Sequence, residues 1–180
     1  MSIRLGILGI GSMGRHHVRN ARATAGVDLV ALADPGGDRF GVAGDLPVLG
    51  GVEELIEVGL DAAIIAAPTA HHEAAALALA EAGVHALVEK PLATSVEAGA
   101  RIRDAFAASG LVGAVGYVER CNPALIDMRR RIAQGQLGEI EQIATRRQSP
   151  FPARISDVGV VKDLATHDVD LAAWVAGAPY

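Results

Sequence analysis

The sequence is poor in several features that would mark other classes of protein. Its one cysteine, Cys121, allows neither an internal disulfide nor a cysteine-rich zinc site. The longest stretch without Asp, Glu, Lys or Arg covers residues 105–118, which is shorter than the ~20 residues that cross a bilayer. Residues 1–15 lack a signal-peptide cleavage pattern, and 16 Lys and Arg against 21 Asp and Glu do not give the basic surface that nucleic-acid binding uses. We therefore expect no metal site, no membrane or nucleic-acid partner, and a reducing, cytoplasmic compartment.

Aromatic residues make up only 3% of the chain, whereas 51% of its residues are hydrophobic. Ala, Val, Leu and Ile must therefore form the core, and the many alanines predict close packing of helices on a sheet. At 180 residues, the chain is long enough for one domain and a little more.

Short β-branched segments alternate with longer Ala- and Leu-rich segments in the first two thirds of the chain. This alternation is typical of βαβ units, so we expect an α/β fold with a doubly wound parallel sheet that helices cover on both faces. The predicted strands cover residues 3–8, 28–33, 47–49, 61–67, 85–89 and 111–118. The predicted helices cover residues 13–24, 53–59, 71–82 and 95–108, and residues 35–44 are predicted to be mostly loop with a weak helix.

The composition changes after Tyr117, where arginines become frequent. Beyond this point the pattern predicts a helix over residues 123–134, a half-buried strand over 140–148 and a last helix over 164–175.

A Gly-rich turn between the first strand and the first helix matches the pattern G-x-G-x-x-G at Gly9, Gly11 and Gly14. In a dinucleotide-binding fold, the first glycine makes the tight turn, the second lets the backbone approach a pyrophosphate, and the third lets the helix pack closely on the strand. The alternative is a turn that serves the fold alone.

Asp34 ends the second predicted strand, 20 residues after Gly14. A carboxylate here accepts hydrogen bonds from the adenosine ribose and repels the 2′-phosphate of NADP, which favours NAD. Arg39 lies near enough in sequence to soften this preference. The alternative is a turn aspartate before Pro35.

Lys90 ends the apolar fifth strand, on the carboxyl edge of the sheet where ligands bind in open α/β folds. Partial burial would favour the neutral amine and make Lys90 suitable for polarising a hydroxyl or donating a proton. The alternative is a salt bridge with Glu89 or another acid.

A second cluster of polar residues lies near the start of the last helix. Asp163 and His167 are spaced i, i+4, and Asp170 lies on the same side of the helix. A histidine oriented by a carboxylate can act as a general base toward an alcohol. The same pair could bind a metal, although no third ligand is evident, and the alternative is capping aspartates beside a surface histidine.

The other histidines give weaker signals. His71 and His72 open the third helix at the same sheet edge, where they would touch cofactor or substrate or simply start the helix. His16 and His17 on the first helix are expected to be structural.

With these motifs in place, the chain resembles the glucose–fructose oxidoreductase / inositol dehydrogenase / rhizopine catabolism (Gfo/Idh/MocA) family of NAD(P)-dependent sugar oxidoreductases. Four segments carry the resemblance in the family's order, namely residues 9–14, 68–72, 89–91 and 163–170. The resemblance implies a Rossmann fold, NAD as cofactor, and a catalytic set of Lys90, Asp163 and His167. It implies a cofactor site made by Gly9, Gly11, Ser12, Met13, Gly14, Asp34, Arg39, Pro68, Thr69, His72, Glu89 and Lys90.

Two segments are similar to the UDP-N-acetylglucosamine 3-dehydrogenases within this family, namely residues 116–123 and 157–168. Cys121 stands where those enzymes have an aromatic residue. The similarity implies a sugar or nucleotide-sugar substrate contacted by Arg120, Asn122 and Asp170.

Members of this family carry a second, α+β domain and usually exceed 300 residues. We therefore expect a Rossmann domain over residues 1–119 and the start of a truncated α+β substrate domain over residues 120–180. The resemblance implies a homo-oligomer for the complete protein. The implied function is oxidation of a secondary hydroxyl of a nucleotide-linked sugar by NAD, and the alternatives are an inositol or other sugar dehydrogenase and a non-catalytic dinucleotide-binding module.

Overall fold

A computed structural model describes residues 2–148 and 161–177, apart from the side chains of Lys162 and Asp163. Six strands form one sheet in which every neighbouring pair is parallel. The strands are β1 (Ile3–Leu8), β2 (Val27–Ala33), β3 (Val48–Leu49), β4 (Ala62–Ile65), β5 (His85–Val88) and β6 (Gly113–Val115).

The strand order is β3-β2-β1-β4-β5-β6. From β1 the chain adds β2 and then β3 on one side of the sheet. It then returns to the other side of β1, where it adds β4, β5 and β6 in turn. The strand order therefore reverses between β1 and β4. Ligands in doubly wound folds bind at this boundary, beside the carboxyl ends of the strands. The predicted α/β class and Rossmann fold are confirmed.

The helices follow the strands as the alternation predicts. They are α1 (Gly14–Ala23), α2 (Val52–Glu57), α3 (His72–Glu81), α4 (Val96–Ala108), α5 (Pro123–Ala133) and α6 (Thr166–Ala176). Ser95 caps α4 by accepting a hydrogen bond from the Ala98 N–H at 3.2 Å, and Gly83 and Gly110, with φ of +76° and +65°, lie just beyond the ends of α3 and α4. None of residues 35–44 is helical, so the weak helix predicted there is wrong.

Two apolar clusters lie on the two faces of the sheet. On one face, α2, α3 and α4 contribute residues such as Leu55, Leu79 and Phe106. On the other face, α1 contributes Val18 and Ala21. Small side chains let these layers approach closely, as the composition indicates, because several core alanines are at most 1% exposed, namely Ala31, Ala33, Ala63 and Ala76.

The chain separates into two compact units, residues 1–116 and residues 117–180. The first unit holds the whole sheet. The second holds a short 3-10 helix (Val118–Cys121), α5, a π-helical turn (Val161–Ala165) and α6. That the second unit is part of a substrate domain stays a prediction.

The strand predicted over residues 140–148 is wrong, because these residues have no regular structure and are exposed. No strand of the second unit lies among the described residues, so this segment has no neighbour with which to form ladder hydrogen bonds there. The strand predicted over residues 111–118 is shorter in the structure, since only Gly113–Val115 pairs with β5. Within residues 2–148 and 161–177, no helix is long and apolar enough to cross a membrane.

Candidate functional site

The residues predicted to bind the cofactor follow the carboxyl ends of four adjacent strands. The Gly-rich turn follows β1, Asp34 follows β2, Pro68 and Thr69 follow β4, and Glu89 follows β5. Because these strands are parallel and adjacent, all four segments lie at one edge of the sheet.

Each glycine of the turn has a different environment. Gly9 has φ of +85°, and an added Cβ would lie 2.6 Å from the backbone nitrogen of Ala67, so the turn passes directly against the loop after β4. A Cβ on Gly14 would lie 1.8 Å from the carbonyl oxygen of Gly9, so α1 starts in close contact with the turn. Gly11 has no atom within 4 Å of the Cβ position. The turn therefore leaves open space beside the middle glycine, and a phosphate contact there stays a prediction.

The carboxylate of Asp34 lies beside the same turn. Its Oδ2 accepts a hydrogen bond from the Ile10 N–H at 3.0 Å, and its Oδ1 accepts one from the Gly36 N–H at 2.7 Å. A Cβ on Gly36 would lie 2.8 Å from a guanidinium nitrogen of Arg39 and 3.1 Å from Oδ1 of Asp34, so the two side chains flank this glycine. The backbone of the Gly-rich turn and the backbone of the loop after β2 thus both hold Asp34, and the guanidinium group of Arg39 lies close by.

The loop after β4 connects to the loop after β5 through His72. This histidine is 1% exposed, and its ring nitrogens lie 2.8 Å from the carbonyl oxygen of Ala67 and 3.0 Å from that of Pro91. Thr69 is also buried, whereas Pro68 is exposed. The ring of His72 therefore joins two backbone segments inside the core, and a cofactor contact by His72 stays a prediction.

Glu89 and Lys90, which follow β5, differ in their exposure to solvent. Glu89 is 7% exposed, and Lys90 is half-buried and precedes a cis peptide bond to Pro91. The Glu89 carboxylate accepts a hydrogen bond from the Lys90 N–H at 3.1 Å through Oε2. A carboxylate therefore lies directly beside the backbone of the lysine that the sequence singles out.

The partner of Glu89 is a residue that sequence reasoning missed. Nε2 of His17, on α1, lies 2.7 Å from Oε1 of Glu89. Burial raises the pKa of Glu89, but the hydrogen bond from His17, the charges of His17 and Lys90, and the Lys90 N–H together hold it below its ordinary value. The helical phase could have revealed this contact, since His17 follows Gly14 by three residues and lies on the face of α1 that packs on the sheet.

In the second unit, His167 lies half-buried in the first turn of α6. The side chain of Asp163 lies outside the described residues, so the predicted pair of Asp163 and His167 stays a prediction. Lys90 belongs to the first unit and His167 to the second.

The residues predicted to contact substrate have partners within the second unit. Arg120 makes a two-pronged ion pair with the nearly buried Asp170, through Nε at 2.8 Å from Oδ2 and through a second contact from Nη2 to Oδ1. Asn122 caps α5, since its side-chain oxygen accepts a hydrogen bond from the Ala124 N–H at 3.0 Å. A substrate role for these three residues stays a prediction.

A second arginine holds the start of α6. Arg147 contacts Asp168 at 3.2 Å and Glu119 at 3.7 Å, and the hydrogen bond with Asp168 is the main cause that raises the pKa of Arg147. The acidic side chains near His167 at positions 168 and 170 are therefore both bound to arginines. Among the described residues, no group of His, Cys, Asp and Glu could hold a metal ion.

Comparison with known proteins adds an independent line of evidence. The family model GFO_IDH_MocA, described as an oxidoreductase family with an NAD-binding Rossmann fold, matches residues 3–117. Scyllo-inositol 2-dehydrogenase (NAD(+)) of Bacillus subtilis is 33% identical over 98% of this chain and 54% of the relative. UDP-N-acetylglucosamine 3-dehydrogenase of Acidithiobacillus ferrooxidans is 32% identical over 98% of this chain and 55% of the relative.

A solved structure of the Acidithiobacillus ferrooxidans UDP-N-acetylglucosamine 3-dehydrogenase matches with a TM-score of 0.85 at 30% identity, over 98% of this chain and 57% of that one. The chain therefore spans about half the length of the relatives that it matches.

Proposed function

Because the chain belongs to the GFO_IDH_MocA oxidoreductase family, with its NAD-binding Rossmann fold over residues 3–117, we propose that it is the cofactor-binding half of a dehydrogenase. The complete protein oxidises a secondary hydroxyl of a sugar or cyclic polyol. The observation that carries this proposal is the meeting of the Gly-rich turn, Asp34 and the Glu89–Lys90 segment at one edge of the sheet.

The residues at this edge fit NAD. The open space at Gly11 leaves its backbone accessible to a pyrophosphate, and the N-terminus of α1 offers N–H groups and a positive dipole end. Each oxygen of Asp34 accepts one backbone hydrogen bond, which leaves each with capacity to accept one from a ribose hydroxyl. We therefore assign the phosphates to the turn and the adenosine ribose to Asp34, with Arg39 beside it.

NAD supplies the hydride acceptor when it is bound. Lys90 donates a hydrogen bond to the reacting hydroxyl oxygen and stabilises the negative charge that develops there. His167 takes the hydroxyl proton as general base, and Asp163 orients His167 or balances its charge. The general base is His167 in this assignment, with Lys90 as the alternative.

Two substrate classes have specific support. The segments 116–123 and 157–168 and the 32% identical relative favour a nucleotide-linked sugar such as UDP-N-acetylglucosamine. The 33% identical relative favours an inositol. Both classes present a secondary hydroxyl on a ring, so the same mechanism serves either.

The experiment combines NAD titration by calorimetry with an assay of NADH formation. We expect the 180-residue chain to bind NAD and to show undetectable or very weak turnover, since it spans about half the length of its relatives. The complete protein should reduce NAD with either UDP-N-acetylglucosamine or an inositol. NAD binding without turnover on any sugar or polyol would favour a non-catalytic dinucleotide-binding module, and a chain that binds no NAD would contradict the proposal.

We further propose that the complete protein is a homo-oligomer in a reducing, cytoplasmic compartment. The family resemblance supports the oligomer, and the single free, exposed cysteine is compatible with such a compartment. Light scattering on the complete protein tests the oligomer, and a monomer at working concentration would contradict it.

A further inference from the structure

One contact in the first unit joins the helix of the Gly-rich turn to the segment that carries Lys90. His17 on α1 and Glu89 after β5 are 72 residues apart in sequence, and their side chains meet at 2.7 Å. Both side chains are largely shielded from water, with 18% and 10% of their surfaces exposed.

The surroundings of Glu89 hold its carboxylate in one place. Oε1 faces His17, and Oε2 accepts a hydrogen bond from the Lys90 N–H at 3.1 Å. A Cβ added to Gly116, just after β6, would lie within 3.2 Å of both carboxylate oxygens, so the chain at this point passes against the carboxylate. A buried carboxylate with contacts on three sides has little freedom to move.

Two basic side chains act on Glu89. Burial raises its pKa, but the contact with His17 from α1 and the charges of His17 and Lys90 contribute to holding it below the ordinary value. A buried carboxylate that loses its partner is costly, because desolvation is then uncompensated. The protonation of His17 and the charge of Lys90 therefore act on the same carboxylate.

We propose that His17 and Glu89 are positioning residues that hold the Lys90 segment against the cofactor helix and transmit the charge state of His17 to Lys90. This inference rests on the proposed function in that Lys90 acts on the substrate hydroxyl. The contact between His17 and Glu89 is seen in the structure whether or not that role holds.

The chain contains two lysines, Lys90 and Lys162, which makes Lys90 directly observable. In protein labelled with 13C at the lysine Cε, a Lys162→Arg variant assigns the Lys90 signal by elimination. The pH titration of this signal is then recorded for the parent and for Glu89→Gln, His17→Gln and the control His16→Gln. His16 is the exposed neighbour of His17 on α1.

We expect two effects that a contact between His17 and Glu89 with a purely structural role would not produce. Glu89→Gln removes the adjacent negative charge, so the Lys90 signal should titrate at a lower pH in this variant than in the parent. In the parent, the Lys90 signal should also show a small inflection as His17 loses its proton, and both His17→Gln and Glu89→Gln should abolish it. His16→Gln should leave both features unchanged.

An unchanged Lys90 titration in Glu89→Gln, or an inflection that persists in His17→Gln, would overturn the proposal. If Glu89→Gln does not fold, His17→Gln still decides, because its amide can donate to Glu89 in place of the ring. NAD calorimetry on the same samples separates the two proposals. A parent that binds no NAD contradicts the proposed function, whereas the lysine titration tests the pair in either case.

Discussion

Gly11 and Gly14 belong to one motif, yet the structure predicts opposite consequences for an added methyl group. At Gly14 the new Cβ would lie 1.8 Å from the Gly9 carbonyl oxygen, whereas real Cβ atoms essentially never come within 3.0 Å of a heavy atom outside their own residue and its chain neighbours. The obstacle is backbone, so α1 or the turn must shift. At Gly11 the Cβ would meet no atom within 4 Å.

We expect Gly14→Ala to lower the free energy of unfolding by about 1–3 kcal/mol or more, the usual cost of overpacking. Gly11→Ala should change this free energy by no more than about 0.5 kcal/mol, as for a surface substitution. Its methyl group should nevertheless occupy the approach to the pyrophosphate, so NAD affinity should fall at least about tenfold, or about 1.4 kcal/mol.

The assay pairs urea denaturation with NAD calorimetry on the same preparations. Gly99→Ala in α4 is the matched control, because its Cβ would lie 3.7 Å from a Leu92 methyl group, an ordinary contact. This control should keep the NAD affinity of the parent. A Gly14→Ala protein as stable as the parent, or a Gly11→Ala protein that binds NAD like the parent, would refute the reasoning.

Three further predictions concern single side chains. NAD should bind at least about tenfold more tightly than NADP, and Asp34→Ser should shrink this ratio; equal titration curves for the two cofactors in the parent would contradict it. In the complete protein, Lys90→Ala and His167→Ala should each lower kcat by about 10²–10⁴ with little change in NAD affinity, and near-full turnover would remove the role assigned to that residue. The pKa of Glu89 is held below its ordinary value of 4.5, so its contribution to stability is present above that pH and is lost as the pH falls through the folded value. As the pH falls through this range, the free energy of unfolding measured with urea should therefore decrease more steeply for the parent than for Glu89→Gln. Parallel curves for the two proteins would contradict this prediction.

Local sequence patterns predicted most elements of the first unit. The strand over residues 3–8 has the bounds that the pattern predicts, and the helix predicted over residues 95–108 begins at Val96, with Ser95 as its cap, and ends at Ala108. These predictions succeed because strand pattern, cap and stop signals depend on neighbours within one or two turns. The strand predicted over residues 140–148 is wrong, because strand formation also requires a partner strand, which a local pattern cannot supply.

Short-range patterns in the sequence alone predict the α/β class and the Gly-rich turn. They also predict that Asp34 and Lys90 lie at the ends of strands. Which distant residues meet was established by packing alone. The fold brings His17 to Glu89 across 72 positions and Arg120 to Asp170 across 50. The first pair depends on how α1 packs on the sheet, and the second on how α6 packs on its neighbours within the second unit. Packing of this kind is not determined by the number of residues between two positions, so the sequence pattern does not predict which distant residues meet.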